Sequence, residues 1–313
     1  MWNIGHVALA LAFLPASALA ADSRQVVDFN FQWKFAKQDA PAYALDLNDD
    51  AWRSVRLPHD WSVEAPFSED LEGCTGFLPG GVAWYRKHFT SDATSDQVVY
   101  LLFDGVYNRA EIWLNEQLLG FHPYGYSPFY FDLTSQLRPG GDDNVVAVKV
   151  DHSRYADRRW YTGSGIYRPG KLITANKLHV PIWGVYVTTP EVSAQQAVVD
   201  VHTDVKNAYA GERSFQLTTQ IMDADGEVVA SQTEQLRLSG RQESTFRQQL
   251  KIESPRLWTL DAAHLYYAAT SIVLGGEQVD AQRTRFGIRS IRFDRDQGFF
   301  LNDQSTPIKG CLL

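Results

Sequence analysis

The sequence predicts an all-β chain made of two strand sandwiches in series, and three observations predict it. Period-two alternation recurs along the chain, whereas helical periodicity is hard to find after the first twenty residues. The strand-like runs are short and separated by Gly/Pro/Asp clusters, the punctuation of sandwiches and barrels. Hydrophobic residues make up 44% of 313, enough for two buried cores.

The N-terminus carries the apolar run Val7–Leu14, then Pro15 and the small-x-small pattern Ala18-Leu19-Ala20. This pattern predicts a signal peptide over residues 1–20, and hence export to the periplasm or beyond. The plainer reading is an apolar N-terminal strand or a membrane tether. The run is too short to span a bilayer as a helix, and no other stretch is long and apolar enough.

Val98-Val99-Tyr100-Leu101-Leu102-Phe103 reads as a buried strand run. Glu111–Leu114 and Leu118–Gly120 read as strands flanking the turn Asn115-Glu116-Gln117. Val145–Val150 follows a Gly/Asp-rich turn. A second unit is expected after the break at Thr188-Thr189-Pro190. There Val199, Val201, Thr203 and Val205 alternate with polar residues, and Asp225-Gly226 signals a hairpin. About seven short strands in about 100 residues is the rhythm of an immunoglobulin-like sandwich. Phe299–Leu301, a tight turn at Asn302-Asp303 and a strand from near Pro307 form a closing hairpin.

Charge and cysteine usage exclude several functions. A net charge of −8 offers no basic face for nucleic acid. Cys74 and Cys311 are too few and too far apart for a disulfide framework. No Cys/His cluster has zinc-site spacing, so no metal and no cofactor is expected. Leu78-Pro79-Gly80-Gly81 lacks the following Gly-Lys-Ser/Thr of a phosphate cradle.

Several motifs, in order, carry a resemblance. They are Leu57-Pro58-His59-Asp60-Trp61-Ser62, Gly76-Phe77-Leu78-Pro79-Gly80-Gly81 with Trp84-Tyr85-Arg86-Lys87, and Phe103-Asp104-Gly105-Val106-Tyr107. Further on come Tyr124-Gly125-Tyr126, Arg159-Trp160-Tyr161 before Gly163-Ser164-Gly165-Ile166-Tyr167-Arg168, Phe286-Gly287-Ile288-Arg289, and Gly298-Phe299-Phe300-Leu301-Asn302. Together they resemble glycoside hydrolase family 2 of the β-galactosidase type, over residues 28 to 310.

The resemblance implies a jelly-roll sugar-binding domain over residues 21–189, an immunoglobulin-like sandwich over 190–288, and the opening of a (β/α)8 barrel over 289–313. It implies that both catalytic glutamates belong to the barrel, beyond the end of this chain. Retaining hydrolysis needs two carboxyl groups about 5–5.5 Å apart. The chain would then be the non-catalytic front of an enzyme cleaving terminal β-galactosides. Its partners would be a carbohydrate and its own barrel, with oligomers compatible. A β-glucuronidase or β-mannosidase is the alternative within the family. A stand-alone carbohydrate-binding or adhesion module is the alternative outside it.

The resemblance also implies that Asp60 meets the non-reducing sugar. It puts Arg159 where some members hold a cation-binding aspartate; arginine instead donates to hydroxyls, so no metal site is carried over. The plainer readings are a turn cap for Asp60 and a surface pair with Asp151 or Asp157 for Arg159. Trp33, Trp52, Trp84 and Trp113 are expected in the core, whereas Trp61 and Trp160, on motif loops, are the candidates for sugar stacking. Asn115-Glu116 mimics the dipeptide that carries the family's acid, but its context predicts a solvated hairpin glutamate. Pro169 predicts that the strand after the Gly163–Arg168 motif starts at Lys171.

Overall fold

The computed structural model describes residues 23–138, 140–154 and 160–310. The expected signal segment, Arg159 and Cys311 lie outside these residues. The first sandwich contains β1 (Arg24–Asp28), β2 (Trp33–Ala36), β3 (Arg53–Val55), β4 (Gly81–Phe89), β5 (Gln97–Phe103), β6 (Ala110–Leu114), β7 (Gln117–His122), β8 (Phe129–Asp132), β9 (Asn144–His152) and β10 (Gly170–Asn176). They form an antiparallel four-stranded sheet, β1-β10-β5-β8, facing a six-stranded sheet, β3-β2-β4-β9-β6-β7.

Alternation along the strands fills the space between the sheets. Trp33, Phe35, Tyr85, Leu101, Phe103, Ile112 and Val148 make the core. On β4 the intervening side chains, Trp84 and Arg86, face outward, beneath a strap formed by residues 37–52. Arg86 is fully buried. Its Nε donates to Asp49 at 2.7 Å, and its Nη1 donates to the carbonyls of Ala42 and Ala44 at 2.8 Å each. A buried charge is tolerated because each of these donors is satisfied.

The second sandwich contains β11 (Leu178–His179), β12 (Val185–Val192), β13 (Gln196–Asn207), β14 (Arg213–Met222), β15 (Val228–Leu238), β16 (Gln242–Glu253), β17 (Tyr266–Leu274) and β18 (Glu277–Phe286). One sheet runs β11-β13-β12 with β16 also on β13, and the other runs β15-β14-β17-β18. Their inner faces meet through Val199, Val201, Ile221 and Leu250, and through Val205, Phe215 and Leu217. The all-β architecture is therefore a jelly-roll sandwich followed by an immunoglobulin-like sandwich, as the sequence predicts. No family-type barrel is present among the described residues.

The structure moves three boundaries. The second sandwich begins at Leu178, not after Pro190, because β11 and β12 both pair with β13. Strand β12 runs straight through Thr188-Thr189-Pro190. A register slip between Thr188 and Glu191 takes up the proline, which has no N–H to give the ladder. Strand β10 starts at Gly170, one residue before Lys171: Gly170 N donates to Asn30 Oδ1 and Gly170 O accepts from Phe29 N. In the closing hairpin, β19 (Ile291–Asp294), β20 (Gly298–Leu301) and β21 (Gln304–Ser305) form a small sheet. Asn302 and Asp303 make its turn with left-handed backbones, and the last strand starts at Gln304 rather than near Pro307.

Strand β5 joins the two sandwiches. Val99, Leu101 and Phe103 point into the first core. Val98, Tyr100 and Leu102 point the other way, with Ile173 and Ala175 of β10, against Ile182 and Ala208 of the second unit. Beside this contact, Arg24 of β1 donates through Nε and Nη2 to the Asp280 carboxylate of β18 at 2.8 Å. Asp280 is fully buried, and it also accepts the Val180 N–H at 2.7 Å. Arg24 Nη2 completes the joint by donating to Val180 O. His179, nearly fully buried, lies 3.0 Å from the Tyr100 hydroxyl through Nε2.

Two predictions follow from this joint. Asp280→Ala leaves the Arg24 guanidinium buried without its partner and lowers unfolding free energy by about 3–5 kcal/mol in urea titration; a loss under about 1 kcal/mol would show that the pair does not hold the joint. Burial, aided by the charges of Arg24 and Lys206, pushes the His179 imidazole down from 6.5 to about 3. Between those values the unfolded chain binds the proton and the folded chain does not. Stability therefore falls as pH drops from 6.5 toward about 3, and His179→Gln flattens that slope in a pH series of melts.

Candidate sugar-binding site

The loops at one end of the jelly roll converge on Asp60. The segment after β3 runs beside the segment before β10: His59 N donates to Ile166 O at 2.8 Å, and Trp61 N donates to Ser164 O at 3.0 Å. On its other side Gly165 exchanges two backbone hydrogen bonds of 2.9 Å with Tyr107. Gly165 has φ +127°, and a Cβ there would stand 2.6 Å from His59 O. Only glycine lets the chain pass through this gap.

Asp60 is held from both sides. Its Oδ1 accepts the N–H groups of Ser62 at 3.0 Å and Ser164 at 2.9 Å. Its Oδ2 accepts the Tyr161 hydroxyl. The turn-cap reading of Asp60 is therefore real, but it uses only one carboxylate oxygen. Burial, then the Asp60 carboxylate, push the Tyr161 phenol well above its usual range, so it stays a donor at neutral pH. A Cβ on Gly163, where φ is +77°, would stand 2.9 Å from Asp60 Oδ2.

A polar network supports this loop from below. Ser62 Oγ lies 2.6 Å from both Pro79 O and Ser164 Oγ, and His152 Nδ1 lies 2.7 Å from Ser164 Oγ. Burial lowers the affinity of His59 for a proton, so its imidazole is neutral at neutral pH. His59 Nε2 lies 2.8 Å from Arg53 Nη2 and 3.1 Å from Glu64 Oε1, and its Nδ1 lies 2.7 Å from the Tyr85 hydroxyl. Arg53 also donates to Glu64 at 2.7 Å.

Aromatic rings form the rim. Trp160 is 58% exposed, and its Nε1 donates to the Tyr126 hydroxyl at 3.0 Å. Tyr126 stands edge-on to Tyr107 and Tyr124, with centroids 5.4 and 5.6 Å away. The Tyr167 hydroxyl donates to Gly125 O at 2.7 Å and pins the Tyr124–Tyr126 turn in place. An oriented carboxylate edge beside exposed indole and phenol rings suits a ligand with hydroxyl rims and apolar C–H faces.

Of the expected site residues, Asp60 and Trp160 lie on the converging loops. Trp61 does not belong to the surface: it is 3% exposed and packs against Phe35 and Tyr85 in the core, so its ring offers no face to a sugar. Arg159 lies outside the described residues. Its suggested partner Asp151 is already engaged by Arg109, at 3.0 Å. Tyr161 was given no role from sequence, although it stands in the Trp160-Tyr161 motif; its partner Asp60 is 101 residues away. Glu116 is exposed at the tip of the β6–β7 hairpin, where it accepts the Leu45 N–H at 2.9 Å. Of the core tryptophans, Trp33 and Trp84 are buried, and Trp52 and Trp113 partly so, beneath and beside the strap. Among the described residues, no cluster of three or more His, Cys, Asp or Glu could hold a metal ion.

Comparison with known proteins matches these two units. The family model described as "Glycosyl hydrolases family 2, sugar binding domain" matches residues 26–176, and "Glycosyl hydrolases family 2" matches residues 180–289. The chain is 37% identical over 302 residues to the β-galactosidase BoGH2A of Bacteroides ovatus, covering 95% of this chain and 35% of that protein. It is 29% identical over 318 residues to a β-glucuronidase of Formosa agariphila, covering 93% of this chain and 32% of that one. A solved family 2 member from Bacteroides cellulosilyticus superposes with a TM-score of 0.85 at 35% identity, over 91% of this chain and 38% of that structure. The chain thus spans about a third of the length of these relatives. It belongs to glycoside hydrolase family 2, and it carries that family's sugar-binding domain and the immunoglobulin-like sandwich that follows.

Proposed function

We propose that this chain is the sugar-recognising, non-catalytic front of an exported retaining β-glycosidase, specifically a β-galactosidase. The observation that carries the reading is the Asp60 site. Its carboxylate is fixed by two N–H groups and by the phenol of Tyr161, the residue that follows the exposed Trp160. In this reading Asp60 Oδ2 accepts a hydroxyl of the terminal sugar while Trp160 packs on its C–H face. The Tyr161 phenol keeps the carboxylate turned outward.

The distribution of carboxylates supports assigning the chemistry to another part of the polypeptide. Among the described residues no glutamate is buried. The buried aspartates are each matched by an arginine: Asp49 by Arg86, Asp200 by Arg247 and Asp280 by Arg24. None forms the closely spaced acid and nucleophile pair that retention with a covalent intermediate requires. The β19–β21 hairpin fits the lead into a barrel. Ile291 and Phe293 of β19 are exposed, as is Ile308 beyond β21, and a cavity of about 610 Å³ opens between Phe293 and Ile308. Such a patch suits coverage by a further domain. Export through residues 1–20 remains part of this proposal.

A uronide-cleaving enzyme is the second reading, because relatives named β-glucuronidase match over the same span. Titration of the labelled chain with methyl β-galactoside and methyl β-glucuronide separates the two. The amide resonances of Ser62 and Ser164, which donate to Asp60, shift with the galactoside, and Asp60→Ala abolishes the shift. Unmoved resonances at saturating galactoside would falsify the galactoside reading, and shifts with the glucuronide alone transfer the site to a uronide.

Asp60→Ala also leaves two loop N–H groups without their acceptor, and it lowers thermodynamic stability by about 1–3 kcal/mol in denaturant titration. An unchanged midpoint would show that the loops do not depend on the carboxylate. The purified chain hydrolyses neither chromogenic β-galactoside nor β-glucuronide; turnover that survives purification contradicts the division of labour.

A further inference from the structure

A second aromatic surface lies on the junction of the two sandwiches. Residues Pro181–Gly184 form a tight turn closed by Gly184 N donating to Pro181 O at 3.0 Å. Trp183 occupies its third position with φ +62°. That position normally holds glycine or asparagine, because a Cβ is strained there. The Trp183 side chain is nevertheless 57% exposed. The residue thus violates the local backbone preference and exposes a large ring. Folding explains neither feature, and such uncompensated departures mark functional positions.

Trp183 is not alone. Its ring meets that of Tyr130, from β8 of the first sandwich, with centroids 5.5 Å apart and planes at 66°. Tyr130 is 36% exposed and Tyr186, two residues beyond the turn, is 65% exposed beside His202. The large apolar side chains on this strip are all aromatic, unlike the aliphatic Ile291 and Ile308 near the closing hairpin.

Acceptors surround the rings. Asp132 stands opposite Tyr100 in the β5–β8 ladder, and burial, then the charges of Glu243 and Asp132, push the Tyr130 phenol up. Asp204 is tied to the turn by donating its N–H to Gly184 O at 2.7 Å, and its carboxylate accepts the Thr245 hydroxyl. Lys206 stands opposite Glu243 in the β13–β16 ladder, and Arg247, opposite His202, is taken up by Asp200. Three carboxylates against one lysine disfavour an anionic ligand. With rings to pack on C–H faces and carboxylates to accept hydroxyls, the strip has the chemistry of a site for uncharged sugars.

We infer that Tyr130, Trp183 and Tyr186 form a second carbohydrate platform, separate from Asp60, that takes a neutral oligosaccharide chain across the junction of the two sandwiches. Each ring covers one sugar face, and Asp132, Asp204 and Glu243 accept from its hydroxyl edges. Because rings on both units contribute, the platform depends on the fixed orientation of the joint.

The turn supplies an unusually clean test, since Trp183→Gly removes the ring and suits the left-handed position. The full chain is titrated by calorimetry with galactotetraose, xylotetraose and cellotetraose, and with tetragalacturonate as the anionic control. At least one neutral tetraose binds, tetragalacturonate binds at least tenfold more weakly, and Trp183→Gly weakens the neutral sugar at least tenfold. The variant melts at or above the wild-type temperature. Absence of binding by all three neutral sugars, or equal binding by the variant, overturns the platform. So does tetragalacturonate binding as well as the neutral chains. A variant that melts several degrees lower would assign Trp183 to holding the fold instead. A wild-type dimer in light scattering that becomes monomeric in the variant would assign the strip to a second copy of the chain.

Discussion

Strand β5 must be buried on both faces, and the rest of the structure depends on that constraint. A strand of a solvent-facing sandwich needs one apolar face. Here Val99, Leu101 and Phe103 fill the first core, while Val98, Tyr100 and Leu102 need cover from outside it. The second sandwich provides that cover through its first connecting residues. The Arg24–Asp280 pair then fixes the contact, because neither charge can be buried without the other. The two units are consequently placed by a packed and charge-matched joint rather than by a flexible linker.

That joint has a functional consequence. Recognition loops give a precise geometry only when the scaffold below them is rigid. The Asp60 loops rest on the ends of β4, β9 and β10, and β10 is itself part of the joint. A further domain attached after β21 would therefore meet the proposed sugar site at a defined distance and angle. The arrangement is consistent with the proposed division between sugar recognition on these units and bond cleavage on another.

Much of this was legible in the sequence. The unbroken apolar run at Val98–Phe103, against alternation elsewhere, marked a buried strand, and the structure shows that both of its faces are covered. The ordered motifs marked the family and singled out Asp60 and Trp160. Other features were hidden for physical reasons. Pro190 read as a domain break because a bulge can absorb a proline without ending the strand. Trp61 read as a surface ring because loop position does not reveal that a loop folds over the core. Tyr161 and Asp60, and Arg24 and Asp280, are contacts between residues 101 and 256 positions apart, which local pattern cannot pair.

Differential scanning calorimetry of the full chain tests the joint most directly. If β5 and the Arg24–Asp280 pair couple the sandwiches, the chain melts in one transition whose calorimetric and van't Hoff enthalpies agree. Two separable transitions, each matching the size of one sandwich, would show that the units are independent and would contradict the account.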